Sequence, residues 1–188
     1  VPAAGGTAQA VTKIRTDEGE LQHRWPEVVP GSKVLLYAVG YGGNWDDAAI
    51  VAERLDTSER KVVVKGGSAP RYLPTGQLVY SRAGGLYAVG FDPRTLAVSG
   101  PPVEVARNVY QSNLGTAAMS VSRTGLLVTA PEAETGGGSV LSWIDRDGHS
   151  ERLPVAAGEY SDFALAPTDD RAAIGVGNAH AVIDLARL

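Results

Sequence analysis

One plan, two apolar strands joined by a tight turn, occurs four times along this chain. The four turns open at Pro30, Pro74, Arg123 and Pro167, which gives steps of 44, 49 and 44 residues. A period of about 40–45 residues is typical of four-stranded propeller blades. The repeat therefore predicts a series of similar β-sheet units rather than one continuous sheet.

Each repeat continues with a third and a fourth apolar run. β-Branched and aromatic residues dominate these runs, which favours strands, and no stretch keeps a 3.6-residue apolar period, which disfavours helix. We therefore predict one all-β domain over residues 1–188, a β-propeller of about four four-stranded antiparallel blades. The predicted blades cover residues 23–65, 69–107, 117–155 and 160–188.

The fourth repeat lacks its outer strand, because its third strand, residues 180–185, ends three residues before the sequence does. Residues 7–14 have no strands before them but have the composition of a fourth strand. An unpaired outer edge is a template for aggregation, which proteins avoid by pairing or covering it. We therefore expect residues 7–14 to complete the last blade, either within the chain or across a homodimer that closes a larger ring.

The composition excludes several classes of function. With 17 Lys and Arg against 21 Asp and Glu, the formal charge is −4, which leaves no basic footprint for nucleic acid. The absence of cysteine excludes disulfides, thiolate metal ligands and a thiol nucleophile. No apolar run approaches the roughly 20 residues of a membrane span, so we expect no membrane insertion by this segment. The sequence begins at Val1 without a signal-peptide pattern, so we expect it to come from a longer protein.

Residue types that carry catalysis or bind metals do not form a known pattern. There is no Gly-x-Ser-x-Gly nucleophile elbow, and the glycine-rich run that begins at Gly40 opens no helix that would hold a phosphate. His23, His149 and His180 are isolated in the sequence, which predicts no zinc site. We therefore expect no enzymatic activity, no cofactor and no bound metal ion.

The propeller plan predicts a binding site on one face of the disc. Connections between second and third strands emerge on the same face as the links between blades, and the longer loops lie there. Long loops on a rigid scaffold commonly carry function, and aromatic residues with arginine are typical of protein-binding hot spots. We predict a protein or peptide site formed by His23, Arg24, Tyr41, Asn44, Trp45, Asp46, Asp47, Arg82, Tyr160 and Asn178.

The three tryptophans are expected to play different parts. Trp45 lies in a loop between Asn44 and Asp46, so we predict an exposed side chain that anchors a partner. Trp25 begins an inner strand, which leaves exposure open but favours packing between blades. Trp143 lies within a predicted strand and is expected in the core.

Segments of the first two repeats carry a family resemblance. They are Gly19-Glu-Leu-Gln-His-Arg-Trp-Pro26, Arg71-Tyr-Leu-Pro-Thr-Gly-Gln-Leu-Val-Tyr80 and the run from Gly85 to Pro102. With them the chain resembles the WD-like, TolB-type β-propeller repeats of bacterial proteins. In particular, it is similar to the propeller region that follows the kinase domain in certain bacterial serine/threonine protein kinases. The resemblance implies a sensor or interaction domain, and it is compatible with a location outside the cytoplasm.

Kinase activity does not follow from this resemblance. The glycine-rich loop and the Asp-Phe-Gly motif are missing, and His23-Arg24 is followed by Trp25 instead of aspartate. Rings of this family usually hold more than four blades. A compact four-bladed ring, a part of a larger ring and half of a two-chain ring therefore all stay open. Similar propellers also gate prolyl-oligopeptidase-like peptidases, so an accessory propeller, or a scaffold without its own site, is an alternative to a binding module.

Overall fold

A computed structural model of the chain confirms the all-β propeller. It describes residues 5–112, 114–122, 125–131, 139–144, 148–168, 170–177 and 179–185, except for the side chains of residues 161 and 162. Within these residues, the strands form four antiparallel sheets in which each strand pairs with the next along the chain. No helix in this described part is long and apolar enough to cross a bilayer.

The blades follow one another along the chain. Blade 1 contains β1 (Gln22–Val28), β2 (Val34–Gly40), β3 (Ala49–Arg54) and β4 (Arg60–Lys65), with the 3₁₀ helices η1 (Thr16–Glu18) before β1 and η2 (Trp45–Asp47) before β3. Blade 2 contains β5 (Ser68–Leu73), β6 (Gln77–Arg82), β7 (Gly85–Asp92) and β8 (Ala97–Ala106). Blade 3 contains β9 (Met119–Val121), β10 (Leu127–Thr129), β11 (Ser142–Ile144) and β12 (Ser150–Arg152). Blade 4 contains β13 (Tyr160–Leu165), β14 (Arg171–Val176) and β15 (Ala179–Asp184).

Turn chemistry explains why blades 1 and 2 begin as hairpins. Gly31 follows Pro30 after β1, and Gly76 follows Pro74 and Thr75 after β5. The two glycines adopt φ angles of +72° and +91°. Proline fixes its own φ near −65°, and glycine accepts positive φ at little cost, so these residues favour tight reversals. The predicted turns are confirmed at both positions.

Apolar side chains pack between successive blades. Leu36 of blade 1 and Tyr80 of blade 2 belong to one buried cluster. Leu86 of blade 2 and Met119 of blade 3 belong to a second, and a third joins blade 3 to Ile174 of blade 4. Because each sheet packs between neighbours, both of its faces need apolar residues, which explains the nearly continuous apolar strands of the sequence.

One hydrogen bond between neighbouring blades recurs along the inner strands. The Glu27 carboxylate accepts a bond of 2.6 Å from the backbone N–H of Tyr72, and the Ser120 hydroxyl accepts one of 3.2 Å from that of Leu165. Both bonds join residues 45 positions apart, so they are equivalent links of blades 1–2 and blades 3–4. Arg71 holds the corresponding place in blade 2. A guanidinium has no acceptor, so Arg71 cannot make this bond to blade 3.

Residues 7–14 do not complete the last blade of the same chain, which contradicts the first of the two predicted arrangements; completion by a second chain stays a prediction. They form no strand, and the last sheet contains only β13, β14 and β15 among the described residues. The segment instead contacts blade 1, where the Thr12 hydroxyl lies 2.9 Å from Nδ1 of His23. Local β-propensity does not specify a partner strand, and the polar contact at blade 1 fixes the position of the segment.

Candidate functional site

The predicted residues of blade 1 surround a pair of tryptophans, of which Trp45 is buried and Trp25 half-buried. The Trp25 and Trp45 rings meet edge to face, with centroids 4.5 Å apart. Trp45 is only 8% exposed, and Gly115 lies against it so closely that a Cβ there would fall 2.1 Å from the Trp45 Cγ. The prediction of an exposed Trp45 is therefore wrong, because the link between blades 2 and 3 covers the ring. Trp25 and Trp143 are half-buried and pack against core clusters, as expected.

Polar neighbours hold the loop around Trp45 in place. Asn44 Oδ1 accepts hydrogen bonds of 2.8 and 3.1 Å from the backbone N–H groups of Asp46 and Asp47, which caps η2. The Asp46 carboxylate accepts a bond of 2.7 Å from the N–H of Ala83 at the end of β6. Asn44 and Asp46 therefore support the loop that buries Trp45, whereas Asp47 is exposed.

Arg24 is half-buried and lies over the Trp45 ring. Its guanidinium carbon is 5.3 Å from the centroid of that ring, and its Nη1 is 3.5 Å from the backbone oxygen of Leu114. Leu114 is exposed, as are Leu21 and Tyr41, which flank the paired ends of β1 and β2. We call Leu21, Arg24, Tyr41 and Leu114 the Arg24 patch. Arg24 and Leu114 lie on the side of the sheet that carries Trp45, whereas the charges of Glu20 and Arg60 act on the Tyr41 hydroxyl from the other side, so the patch spans this end of blade 1.

His23 lies in a buried ionic cluster rather than at a free surface. One Glu20 oxygen accepts hydrogen bonds from His23 Nε2, at 3.0 Å, and from the N–H of Arg15, at 2.8 Å. The other oxygen pairs with the Arg60 guanidinium. Burial raises the pKa of Glu20, but the bonds from Arg60, Arg15 and His23 outweigh it and lower the pKa below its ordinary value. His23 therefore holds the chain that precedes blade 1.

The same cluster covers the face of blade 1 that points away from blade 2. The Arg60 guanidinium lies 5.8 Å from the centroid of the Tyr37 ring, and the His23 ring lies 4.7 Å from it. Tyr37 packs with Leu35 and Val39, which alternate along β2 with the residues that face blade 2. We call Glu20, His23, Tyr37 and Arg60 the Glu20 cluster. Together they bury a blade face on which no other described blade packs.

The other predicted binding residues belong to blades 2 and 4. The Arg82 guanidinium lies 4.7 Å from the centroid of the Tyr87 ring in its own blade. The Tyr160 hydroxyl donates to the backbone oxygen of Ala156 just before blade 4. Asn178 lies outside the described residues. In the described part of the chain, no three His, Cys, Asp or Glu side chains group closely enough to hold a metal ion.

A cleft between blades 2 and 3 was not predicted. It has a volume of about 560 Å³ and mostly aliphatic walls, which include Leu73 and Val103 of blade 2 and Val121 and Ile144 of blade 3. It opens at the junction where Arg71 cannot make the inner-strand hydrogen bond of the other junctions. Arg71 occupies the position at which the first and third repeats have a side chain that can accept a hydrogen bond. This difference between the repeats is the feature of the sequence that could have predicted the cleft.

Solved structures with the same fold include enzymes of three kinds. A luciferin-regenerating enzyme matches over 90% of this chain and 58% of its own, with 12% identity and a TM-score of 0.59. Puromycin hydrolase matches over 86% and 27%, with 16% identity and a TM-score of 0.56. The tricorn protease matches over 82% and 15%, with 10% identity and a TM-score of 0.54.

The chain spans less than two thirds of each of these three proteins. No protein-family model matches the chain, and no curated protein sequence is significantly similar to it. At such low identity, the structural likeness shows the β-propeller fold alone, because propellers carry many unrelated functions.

Proposed function

We propose that this chain is a non-catalytic propeller module that binds a protein or peptide at the Arg24 patch. The exposure of Leu21, Tyr41 and Leu114 at the end of blade 1 where Arg24 lies carries the proposal. Exposed apolar groups beside an arginine are typical of interaction sites, whereas scattered single ones are not informative. Three elements of the chain that are distant in sequence contribute to this one patch.

The support beneath the patch is ordered before any partner binds. The edge-to-face pair of Trp25 and Trp45 fixes the floor, and Asn44 and Asp46 fix the loop. Binding therefore need not order these groups, which removes a cost that weakens association at mobile loops. This favours recognition by a nearly rigid surface.

The residue types of the patch indicate which chemical groups a partner needs. Leu21, Tyr41 and Leu114 offer apolar contact, so the partner brings an aliphatic or aromatic side chain. Arg24 has five N–H donors and no acceptor, so the partner also brings a carboxylate or a main-chain carbonyl. An extended peptide with an apolar residue next to an acidic one supplies both.

Peptides selected from a random library displayed on phage, with the wild-type chain as bait, test the proposal. Tyr41→Ala and Leu114→Ala should each weaken binding of a selected peptide at least about tenfold in fluorescence polarisation. Val98→Ala is the matched control, because Val98 is 41% exposed and Tyr41 40%, but Val98 lies on the outer strand of blade 2. Unchanged affinity in both patch variants, or an equal loss in the control, would contradict the proposal.

The resemblance of the first two repeats supports a narrower version of this proposal. The module would be the extracytoplasmic sensor or interaction part of a larger bacterial protein that carries a serine/threonine kinase domain. The matches to the tricorn protease and puromycin hydrolase support the alternative of an accessory propeller beside a peptidase. The coding sequence on either side of this segment separates the two, because a kinase domain supports the first and a hydrolase domain the second.

A further inference from the structure

Blade 4 has a free sheet edge. All six residues of β15 pair with β14, and β15 has no second neighbour among the described strands. In each of the other three blades, a fourth strand occupies this position. An edge strand presents a row of backbone donors and acceptors, which makes it a template for another strand.

An apolar row lies uncovered on one face of blade 4 beside this edge, between Arg171 and Asp184 on one side and His180 on the other. Ala164, Ala173 and Val182 form a row across the three strands and are exposed, with Val182 at 69%. A shallow groove of about 290 Å³ runs along this row. The alternate residue Ile174 is buried against blade 3 on the opposite face. An added strand would therefore gain backbone hydrogen bonds and apolar contact together.

The chain itself contains an unused strand-like segment. Residues 7–14 read Thr-Ala-Gln-Ala-Val-Thr-Lys-Ile and lie outside every described sheet. Val11, 63% exposed, and Ile14 are among the exposed large apolar residues of the protein. If this segment were a strand, the two side chains would point to opposite faces of the sheet. One would then lie beside Val182, and the other would lie on the face that packs against blade 3.

We propose that two copies of this chain exchange residues 7–14, each segment adding to β15 of the other copy as a fourth, antiparallel strand. The exchange is reciprocal, so a two-fold axis relates the two copies and the assembly stops at two. It adds a fourth strand to each last blade and covers Val11 and Val182 at the same time. Backbone hydrogen bonds would provide most of the affinity, as in other cases of strand addition.

Light scattering coupled to size exclusion, with sedimentation equilibrium over a wide concentration range, tests the exchange. The wild-type chain should have twice the mass of 19.6 kDa at high concentration. Val11→Pro removes a backbone donor from a segment that belongs to no sheet, so the blades should still fold. Val182→Lys places a charge beside the edge. Each variant should be a 19.6 kDa monomer with an unchanged circular dichroism spectrum, whereas the control Val98→Lys should stay dimeric.

Mixing the two monomeric variants gives a sharper test. The Val11→Pro copy keeps an intact β15 edge, and the Val182→Lys copy keeps an intact segment, so the mixture can form one of the two exchanges. We expect heterodimers in the mixture and none in either variant alone. A wild-type monomer at every concentration, a dimer that persists in both variants, or open-ended oligomers would overturn the proposal. Peptide binding at the Arg24 patch should not change in these variants, which keeps the two proposals independent.

Discussion

In the part of the chain that the structure describes, blades 1 and 4 each have a face with no blade packed on it, and these two faces differ. At blade 1, the Glu20 cluster buries Tyr37 and the residues beside it. At blade 4, the row that contains Val182 is open to solvent. A repeat unit cannot bury both of its faces alone, and here Glu20, which precedes β1, pairs with His23 and Arg60 of blade 1 to cover one of them. The comparison shows that this cover depends on a residue outside the repeat.

The cover of blade 1 is ionic, which makes it costly to break. The Glu20, Arg60 and His23 side chains are largely buried, so the Glu20 carboxylate and the Arg60 guanidinium depend on each other for solvation. Such a cluster adds little net stability over an apolar one, but the loss of one partner leaves a buried charge unpaired. The uncovered face of blade 4 has no such dependence. Variants at the two blades should therefore differ widely in cost.

The largest effect is expected at Glu20. Glu20→Ala should lower the free energy of unfolding by about 3–5 kcal/mol, because it leaves Arg60 buried without its partner. Urea denaturation followed by tryptophan fluorescence measures this. Glu18→Ala is the matched control, because Glu18 pairs with Arg15 at an exposed position and should cost at most about 1 kcal/mol. Equal costs in the two variants would show that the Glu20 cluster does not hold blade 1.

Gly115 tests the cover on the loop-rich face of blade 1. Its φ is +80°, and an added Cβ would strike the Trp45 ring. Gly100 has a similar φ of +74° and open space around it, so Gly100→Ala isolates the backbone cost. Gly115→Ala should lower the free energy of unfolding by about 1–3 kcal/mol more than Gly100→Ala does, because only Gly115 is overpacked. Equal losses would mean that the link does not press on Trp45.

The sequence was sufficient to predict the features of the fold that depend only on neighbouring residues. Turns such as Pro74 to Gly76 need only the φ preferences of neighbouring residues, and the spacing of the turns predicted the blades. The sequence did not predict the burial of Trp45, because the polar residues Asn44 and Asp46 beside it suggested an exposed loop. In the structure their side chains accept hydrogen bonds from backbone N–H groups instead of facing water. The covering glycine lies in another link of the chain, 70 positions further along.

The ionic cluster was beyond prediction for a related reason. Glu20 and Arg60 lie 40 residues apart, and both residue types are usually exposed, so nothing local marks them as a buried pair. Residues 7–14 do not pair with blade 4 of their own chain, because strand propensity is local, whereas the contact of Thr12 with His23 depends on the folded blade. Binding by the Arg24 patch stays a prediction, since its residues are placed but no partner is.

Acid should destabilise blade 1 before blade 4, because Glu20 is part of blade 1's cover. Its pKa is lowered below the ordinary 4.5, so its stabilising contribution is complete above pH 4.5 and is lost as the pH falls through the lower, folded value. Protection against hydrogen exchange, corrected for the intrinsic rate at each pH, should therefore fall in β2 before it falls in β14 as the pH drops below 4.5. Glu20→Gln should remove this difference. An equal response of β2 and β14 in the wild-type chain would contradict the assignment.

Glu27 should show the opposite pH dependence. Burial raises its pKa, although the N–H of Tyr72 and the charge of Arg71 act against this. Its contribution is therefore most favourable below pH 4.5 and is lost as the pH rises through the folded value. As the pH is lowered from above the folded pKa of Glu27 to below 4.5, the free energy of unfolding should rise less in Glu27→Gln than in the wild-type chain. A larger rise in the variant than in the wild-type chain would show that the carboxyl is not desolvated between blades 1 and 2.

The smallest effect is expected at Val182, and it bears most directly on the contrast between the blades. In a Val11→Pro background, which should keep the chain monomeric, Val182→Lys should change the free energy of unfolding by no more than about 0.5 kcal/mol, since the side chain is already in water. Urea denaturation of the single and double variants measures the difference. A loss of 2 kcal/mol or more would mean that the monomer covers this face as it covers blade 1. A covered row would leave no space beside Val182 for the side chains of an added strand. The free edge of blade 4 would then be unavailable to a second copy.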